Sequence, residues 1–260
     1  MALNLPHAEY VTFGRSPLKF VVFQLAFPAI LSVSKAEYVA AFQEAIRAEY
    51  PMVEPAQTIA GQVVVAPWDP SAPPPSISTS PLWQFLDSDR AWQLTLAPDF
   101  LALQTSAYRD FPDIRRRLQT ALTALQNTIA PNLQLRVGLR YVNEIRHAEG
   151  QNPSDWAQLL RPELVGLVGS GVFDGIDQAL QEIRAPVDRA HFVVKHGFFG
   201  SETPLKGPLY LLDFDCFDAE TKPFDVASLL QQLETYNGMV YDLFRWTLTP
   251  KLLASFEPVG

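Results

Sequence analysis

Apolar residues in this chain follow two different periods, which predict both strands and helices. The run LKFVVFQLAF at 18–27 is continuous, aromatic and β-branched, as is typical of a buried strand. LQLRVGLRYVNEIR at 133–146 alternates strictly instead, so its apolar residues share one face of a strand. Further strands are predicted at 61–67, 82–87, 91–97, 100–108, 178–187, 190–199 and 208–217.

Helices are predicted where apolar residues recur at a spacing of three or four. Ser34 and Glu37 have the spacing of a capping box, so a helix is expected over 35–49. Asp110 followed by Pro112 is typical of the start of a second, longer helix. Further helical segments are predicted from Asn152-Pro153-Ser154 to about residue 162, from Asp225 onward, and after Thr249-Pro250.

The two halves of the chain repeat one order of elements: strand, helix, several strands and a long helix. DRAWQL at 89–94 and DRAHFV at 189–194 fall at matching points of this order. We therefore predict an α+β fold of two β-α-β4-α units, residues 1–131 and 132–260, that share one curved antiparallel sheet. Helices are expected on one face of the sheet, and the other face is expected to be open. This topology is similar to that of the TATA-binding-protein fold, a likeness of architecture only.

Prolines are concentrated in WDPSAPPPSISTSP at 68–81. Because strand patterns resume directly afterwards, we predict a long extended surface loop within the first unit rather than an interdomain linker. Extended proline-rich segments dock with little loss of conformational freedom, so the loop is a second candidate contact for a partner.

Composition limits the classes of function. A chain of 260 residues that is 48% hydrophobic is too long and too apolar to be disordered, and it can bury a sizeable core. Its 20 basic and 28 acidic residues, a net charge of −8, argue against a dedicated nucleic-acid binder. The single cysteine, Cys216, excludes a disulfide within the chain. No membrane-spanning run or signal peptide is recognised, so we expect a cytoplasmic protein without a membrane partner.

Five segments resemble a sporadically distributed family of uncharacterised bacterial proteins of about this length. In chain order they are SPLKFVVFQLAF, WQFLDSDRAWQLTLAPDFLAL, LRVGLRYVNEI, LLDFDCF and YNGMVYDLFRWTLTPKLL. The most specific is GLRYVNEI at 138–145, where the family is similar in having Arg-Tyr-x-Asn. Lys19 departs from the family, which usually has an acidic or polar residue after Pro-Leu. The resemblance implies a bacterial, cytoplasmic protein and carries no activity over to this chain.

The arginines of the 133–146 strand are the best candidates for binding. Arg136 and Arg140 lie on the face opposite to Leu139 and Tyr141, so they are expected to line the open face of the sheet. Guanidinium groups bind carboxylates and phosphates through paired hydrogen bonds, which favours an anionic ligand or an acidic partner surface. The ordinary alternative, cross-strand ion pairs with acidic neighbours, stays open.

Asp213 and Asp215 share one face of the strand around LLDFDCFD, and we expect this to be the same open face. Two such carboxylates can hold a metal or share a proton, but no further ligand stands at a suitable spacing. His191 and His196 are five residues apart and point to opposite faces of their strand, whereas Lys195 is expected on the open face. No phosphate-binding loop, dinucleotide fingerprint or hydrolase motif occurs, so we predict no metal and no cofactor.

The leading functional prediction is a non-enzymatic interaction module whose open polar face binds a protein or peptide partner, because a mixed-charge face suits such a partner. The predicted binding residues are Tyr108, Arg136, Arg140, Asn143, Lys195, Asp213 and Asp215. Two alternatives stay open. One is a small anionic-ligand binding protein or enzyme with a pocket around Arg136, Arg140 and Asn143. The other is a saddle-type nucleic-acid binder.

Overall fold

A computed structural model describes residues 3–60, 78–173, 175–200 and 207–259 of the chain, with the backbone alone for 55–60 and 78–81. The predicted strand at 61–67 and residues 68–77 of the proline-rich segment lie outside the described residues. The part of the chain that is described is a mixed α+β fold. None of its helices is long and apolar enough to cross a membrane.

Short and long strands alternate with helices along the chain. The strands are β1 (Thr12–Phe13), β2 (Leu18–Ala26), β3 (Met52–Ala60), β4 (Ser78–Leu86), β5 (Trp92–Leu96), β6 (Phe100–Thr105), β7 (Leu133–Gln134), β8 (Arg136–Ile145), β9 (Gln178–Val187), β10 (Ala190–Phe199), β11 (Leu209–Asp218), β12 (Lys222–Pro223) and β13 (Pro258–Val259). The helices are α1 (Ala36–Ile46), α2 (Phe111–Thr128), α3 (Pro162–Val165), α4 (Val226–Thr247) and α5 (Pro250–Ser255). Turns of 3₁₀ helix occupy Leu31–Ser34, Pro153–Gln158 and Val168–Ser170.

The main sheet of the described chain is antiparallel and has nine strands in the order β3-β4-β5-β6-β2-β8-β11-β10-β9. β2 and β8 pair in its middle, with Val22 opposite Arg140 and Gln24 opposite Gly138, and so join the first half of the chain to the second. On one side of this pair the sheet continues with four strands, and on the other with three. Within the described residues the second half thus adds one strand fewer than the β-α-β4-α order predicts.

Helices α1, α2 and α4 pack side by side, and α4 lies directly on β8 and β11. The strand residues that face these helices are fully buried, among them Phe23, Leu139 and Phe214. Neighbouring residues on the same strands, such as Gln24 and Arg140, stay partly accessible on the opposite face. Such alternation is typical of an antiparallel sheet with one face in the core and one face toward solvent, although Gly138, Val142 and Asp213 on the second face are buried too.

Two helix starts differ from the sequence prediction. The Ser34 hydroxyl donates to the carbonyl oxygen of Leu31 at 2.7 Å, and α1 begins without a side-chain cap, so the predicted capping box is wrong. Asn152 does form a capping box with Asp155, but it begins a 3₁₀ turn rather than the predicted helix to residue 162. The start of α2 is confirmed, since the Asp110 carboxylate accepts from the backbone N–H of Asp113 at 2.8 Å.

Candidate functional site

Ion pairs cover the face of β8 and β11 that points away from the helices. Arg140 Nε donates to Asp213 Oδ1 at 2.7 Å, and its Nη2 donates to Asp213 Oδ2 at 2.6 Å. The side chain of Asp213 is 5% exposed and that of Arg140 is 43% exposed, so the guanidinium group covers a buried carboxylate. The alternative that the arginines form cross-strand ion pairs is thus confirmed at this position.

Arg136 makes the second pair on this face. Its Nη2 donates to Asp215 Oδ2 at 3.1 Å and its Nη1 to Gln24 Oε1 at 3.0 Å, while its guanidinium group lies 4.4 Å from the centre of the Phe217 ring. Gly138 leaves the space for this arrangement, because a Cβ there would stand 3.0 Å from Arg136 Nη1. Burial raises the pKa of Asp215, although the neighbouring arginines oppose this shift.

The network continues onto β9 and β10. Lys195 Nζ lies 3.3 Å from Glu182 Oε2, and Arg184 Nε lies 2.5 Å from Glu182 Oε1. Together these strands form a surface that we call the polar face, defined by Arg136, Arg140, Glu182, Arg184, Lys195, Asp213 and Asp215. The polar face contains a cavity of about 260 Å³. The four basic and three acidic side chains of the polar face nearly balance in charge. Five of the predicted binding residues therefore meet on one surface.

The other two predicted binding residues, Tyr108 and Asn143, lie on the opposite, helix-covered side of the sheet. Asn143 is buried, and its Nδ2 donates to the carbonyl oxygen of Leu212 at 3.2 Å. Tyr108 follows the end of β6 and packs edge-on against Tyr141 at 5.8 Å between ring centres. Placing Tyr108 on the open face was wrong because strand alternation does not extend past Thr105. A single pocket around Arg136, Arg140 and Asn143 is also wrong, because the sheet separates Asn143 from both arginines.

A second cavity, of about 300 Å³, lies on the helix side between β8, α4 and the segment that precedes β2. We call it the tyrosine pocket, and its defining residues are Tyr10, Tyr108, Tyr141, Asn143, Asn237 and Tyr241. Its wall comes from segments that lie far apart in the chain, so local patterns predicted neither its position nor its composition. The one local signal was the Arg-Tyr-x-Asn motif, which contributes Tyr141 and Asn143 to the pocket and Arg140 to the polar face.

The remaining candidate groups are structural. Cys216 is fully buried, and burial raises the pKa of its thiol, which disfavours the reactive thiolate. His191 and His196 do lie on opposite faces of β10, as the spacing predicted, since His191 stacks on Phe217 and His196 contacts Tyr210. Within the described residues, no group of three or more His, Cys, Asp and Glu side chains is placed to hold a metal ion.

His196 should make stability depend on pH. It is buried, its Nδ1 lies 3.0 Å from the Tyr210 hydroxyl, and burial lowers its pKa below the ordinary value of 6.5. The unfolded chain therefore binds a proton that the folded chain does not, so the free energy of unfolding falls as the pH drops below 6.5. Urea unfolding of the wild type and of His196→Gln at several pH values measures this, and the variant should show a smaller loss. His191→Gln is the control; an equal pH dependence in wild type and His196→Gln would contradict the assignment.

No protein-family model matches the chain, and no curated protein is significantly similar to it in sequence. The described residues form two features that can accept another molecule: the polar face with its adjoining edge strand, and the tyrosine pocket.

Proposed function

We propose that the protein is a non-enzymatic interaction module that binds an extended peptide segment of a partner protein along β9 and the adjoining polar face. The observation that carries this proposal is that β9 ends the sheet and pairs with β10 on one side only, with no described strand on the other. A strand of ten residues with an open edge presents a row of unpaired backbone N–H and C=O groups. An extended peptide can satisfy them by adding one more strand.

The geometry of the β9–β10 hairpin identifies which groups face the open edge. Asp188 and Arg189 form the turn, and Val187 pairs with Ala190. Val187 and every second residue before it therefore hydrogen-bond to β10. The backbone groups of Arg184 then point away from β10. The backbone of Pro186 also points away from β10, and this position suits a residue without an N–H because no hydrogen bond to β10 is lost.

β9 is accessible on both of its faces, which is unusual for a long strand. Leu180 is 52% exposed and Ile183 is 43% exposed, and the two side chains point to opposite faces of the sheet. Glu182 and Arg184 share the face of Leu180 and add charge to the edge. Such charges disfavour indiscriminate strand pairing and select a partner strand with complementary side chains.

The polar face supplies the chemistry that recognises such a partner. Arg140 and Lys195 keep part of their side chains exposed, while Asp213 and Asp215 form the floor of the cavity. A peptide with both acidic and basic side chains complements this balance of charges. A saddle-type nucleic-acid binder would need a uniformly basic surface, and the two aspartates argue against it.

A random peptide library displayed on phage tests the proposal, with peptides of about twelve residues, long enough to span β9. We expect it to yield mixed-charge peptides that slow amide hydrogen exchange in β9. Arg184→Pro removes both an outward N–H and the charge and should abolish binding, whereas the matched Arg184→Ala removes only the charge and should weaken binding without abolishing it. The proposal fails if no peptide is selected, or if both variants bind equally well. It also fails if sedimentation shows a dimer in which β9 is already protected.

We also infer that the two halves are related units. The strand order outward from β2 is β6, β5, β4, β3, and outward from β8 it is β11, β10, β9, which supports a pseudo-duplicated topology similar to the TATA-binding-protein fold. We further propose that the chain belongs to the bacterial family that its sequence resembles and that it is cytoplasmic.

A further inference from the structure

We propose that the tyrosine pocket binds a small planar aromatic molecule that carries one carboxylate group. The pocket lies on the side of the sheet opposite to the polar face and uses none of its residues. A result that contradicts one of the two proposed sites, the pocket or the peptide site on β9, therefore leaves the other unaffected. A volume of about 300 Å³ lies at the lower end of the range of small-molecule sites, which suits a ligand of one or two rings.

Aromatic rings form much of the apolar wall of the pocket. Phe13, Phe214 and Phe244 all line it, and Phe13 meets Phe244 edge to face with 6.0 Å between ring centres. Val240 completes this side from α4. Offset and edge-to-face contacts of aromatic rings favour another flat ring over an aliphatic group of the same volume.

Hydrogen-bond donors converge on the opposite side of the pocket. The Tyr141 hydroxyl donates to Asn237 Oδ1 at 2.7 Å. Tyr10 and Tyr108 line the same pocket, and the Tyr108 ring packs edge-on against that of Tyr141. Burial raises the pKa of Tyr108 and of Tyr141, so both phenols keep their protons at neutral pH. Because the Tyr141 proton is used by Asn237, the donors that suit a carboxylate oxygen are the hydroxyls of Tyr10 and Tyr108 and the Asn237 amide N–H groups.

The charge of the lining selects an anion over a cation. No Asp or Glu lines the tyrosine pocket, and its one charged residue is Arg109. Arg109 is exposed and pairs with Asp113 at 3.4 Å through a single contact, so its guanidinium group can also reach an anion at the pocket mouth. An aromatic ammonium ligand would find no carboxylate in this lining to balance its charge.

The segment before β2 forms the outer wall and explains how a ligand enters. It is attached to α4 by individual hydrogen bonds: the N–H of Ala8 to Asp242 Oδ1 at 2.8 Å and the N–H of Val11 to the Tyr241 hydroxyl at 2.9 Å. Tyr10 packs on Tyr241 with 5.0 Å between ring centres. Both hydrogen bonds are only partly buried, so residues 8–11 can separate from α4 while Phe13 stays packed on the core.

Benzoate is the probe for this site, followed by amide chemical shifts of the full-length protein. We expect saturable shifts in residues 10–13 and 237–241, with a Kd of about 0.1–5 mM for so small a ligand. Benzylamine has the same ring and the opposite charge, and cyclohexanecarboxylate has the same charge and no planar ring. Both should bind at least about tenfold more weakly. The proposal is overturned if benzoate shifts no pocket residue or if either comparison compound binds as tightly.

Two substitutions in the pocket and one control elsewhere on α4 test whether benzoate binds in the pocket. Val240→Phe fills the cavity and should abolish benzoate binding. Val226→Phe, on the same helix but outside the pocket lining, should leave it unchanged. Tyr108→Phe removes one hydroxyl without adding volume and should weaken binding about fivefold, which tests the site even if Val240→Phe does not fold. Folding is monitored by circular dichroism, and a folded Val240→Phe or Tyr108→Phe that binds benzoate like the wild type would refute the assignment.

Discussion

Gly197→Ala lowers the free energy of unfolding by about 3 kcal/mol and releases β9 from the sheet, because the new methyl group has no space. A Cβ on Gly197 would stand 2.0 Å from the carbonyl oxygen of Ala179 and 2.8 Å from the Cα of Leu180. Both are backbone atoms of the neighbouring strand, and Gly197 lies directly opposite Leu180 in the register. A side chain could turn away from such a clash, whereas a strand can relieve it only by separating from β10.

Urea unfolding and amide hydrogen exchange measure this effect, with Gly238→Ala as the matched control. Gly238 lies in the interior of α4, and apart from the helix's own backbone and the two adjoining residues nothing stands within 4 Å of a Cβ built on it. Alanine is the better helix former there, so the control should gain about 0.5–1 kcal/mol. Equal effects of the two substitutions, or unchanged exchange protection of β9 in Gly197→Ala, would contradict the prediction. Release of β9 should also abolish peptide binding and leave benzoate binding intact.

Arg140→Ala should cost about 3 kcal/mol of unfolding free energy, and Asp213→Ala only about 1 kcal/mol, although both break the same ion pair. The difference follows from burial. Asp213 is 5% exposed, so removing Arg140 leaves a buried carboxylate without its two strongest hydrogen bonds. Arg140 is 43% exposed, so water can solvate its guanidinium group when Asp213 is removed.

A double-mutant cycle of urea unfolding experiments tests this asymmetry. The double variant should be more stable than Arg140→Ala alone, since it no longer contains an unpaired buried carboxylate. Arg140→Lys should restore only part of the lost stability, because an ammonium group cannot reproduce the paired Nε and Nη2 contacts. Equal costs of the two single substitutions, or a larger cost for Asp213→Ala, would show that burial of the carboxylate is not the dominant factor.

Local sequence patterns predicted the strands and helices well where the contacts that form them lie within a few residues of each other. The predicted strands at 178–187 and 190–199 coincide with β9 and β10, because a two-residue turn and β-branched residues mark the hairpin. The Asp110 cap of α2 was found for the same reason. The capping box predicted at Ser34 was wrong because the Ser34 hydroxyl donates instead to the carbonyl oxygen of Leu31. The spacing of residues does not reveal such a competing acceptor.

The polar face was partly predictable. Alternation alone places Arg136 with Arg140 and Asp213 with Asp215, and pairing of β8 with β11 then brings all four together. Which aspartate each arginine binds depends on the register of β8 against β11 and on competition between the two arginines. Asp215 lies opposite Arg140, yet Arg140 reaches diagonally to Asp213 while Arg136 binds Asp215. Such a choice cannot be read from the spacing within either strand.

The order of amino acids was sufficient for the α+β class, for most strands and for the face on which the charged residues of β8 and β11 lie. These properties depend on periods of two and 3.6 residues, which are features of the backbone. The tyrosine pocket and the open edge of β9 became visible only in the folded chain. Tyr10, Tyr108, Tyr141 and Asn237 converge because β8, α4 and the N-terminal segment pack together, and such contacts between distant residues depend on packing rather than on any local period.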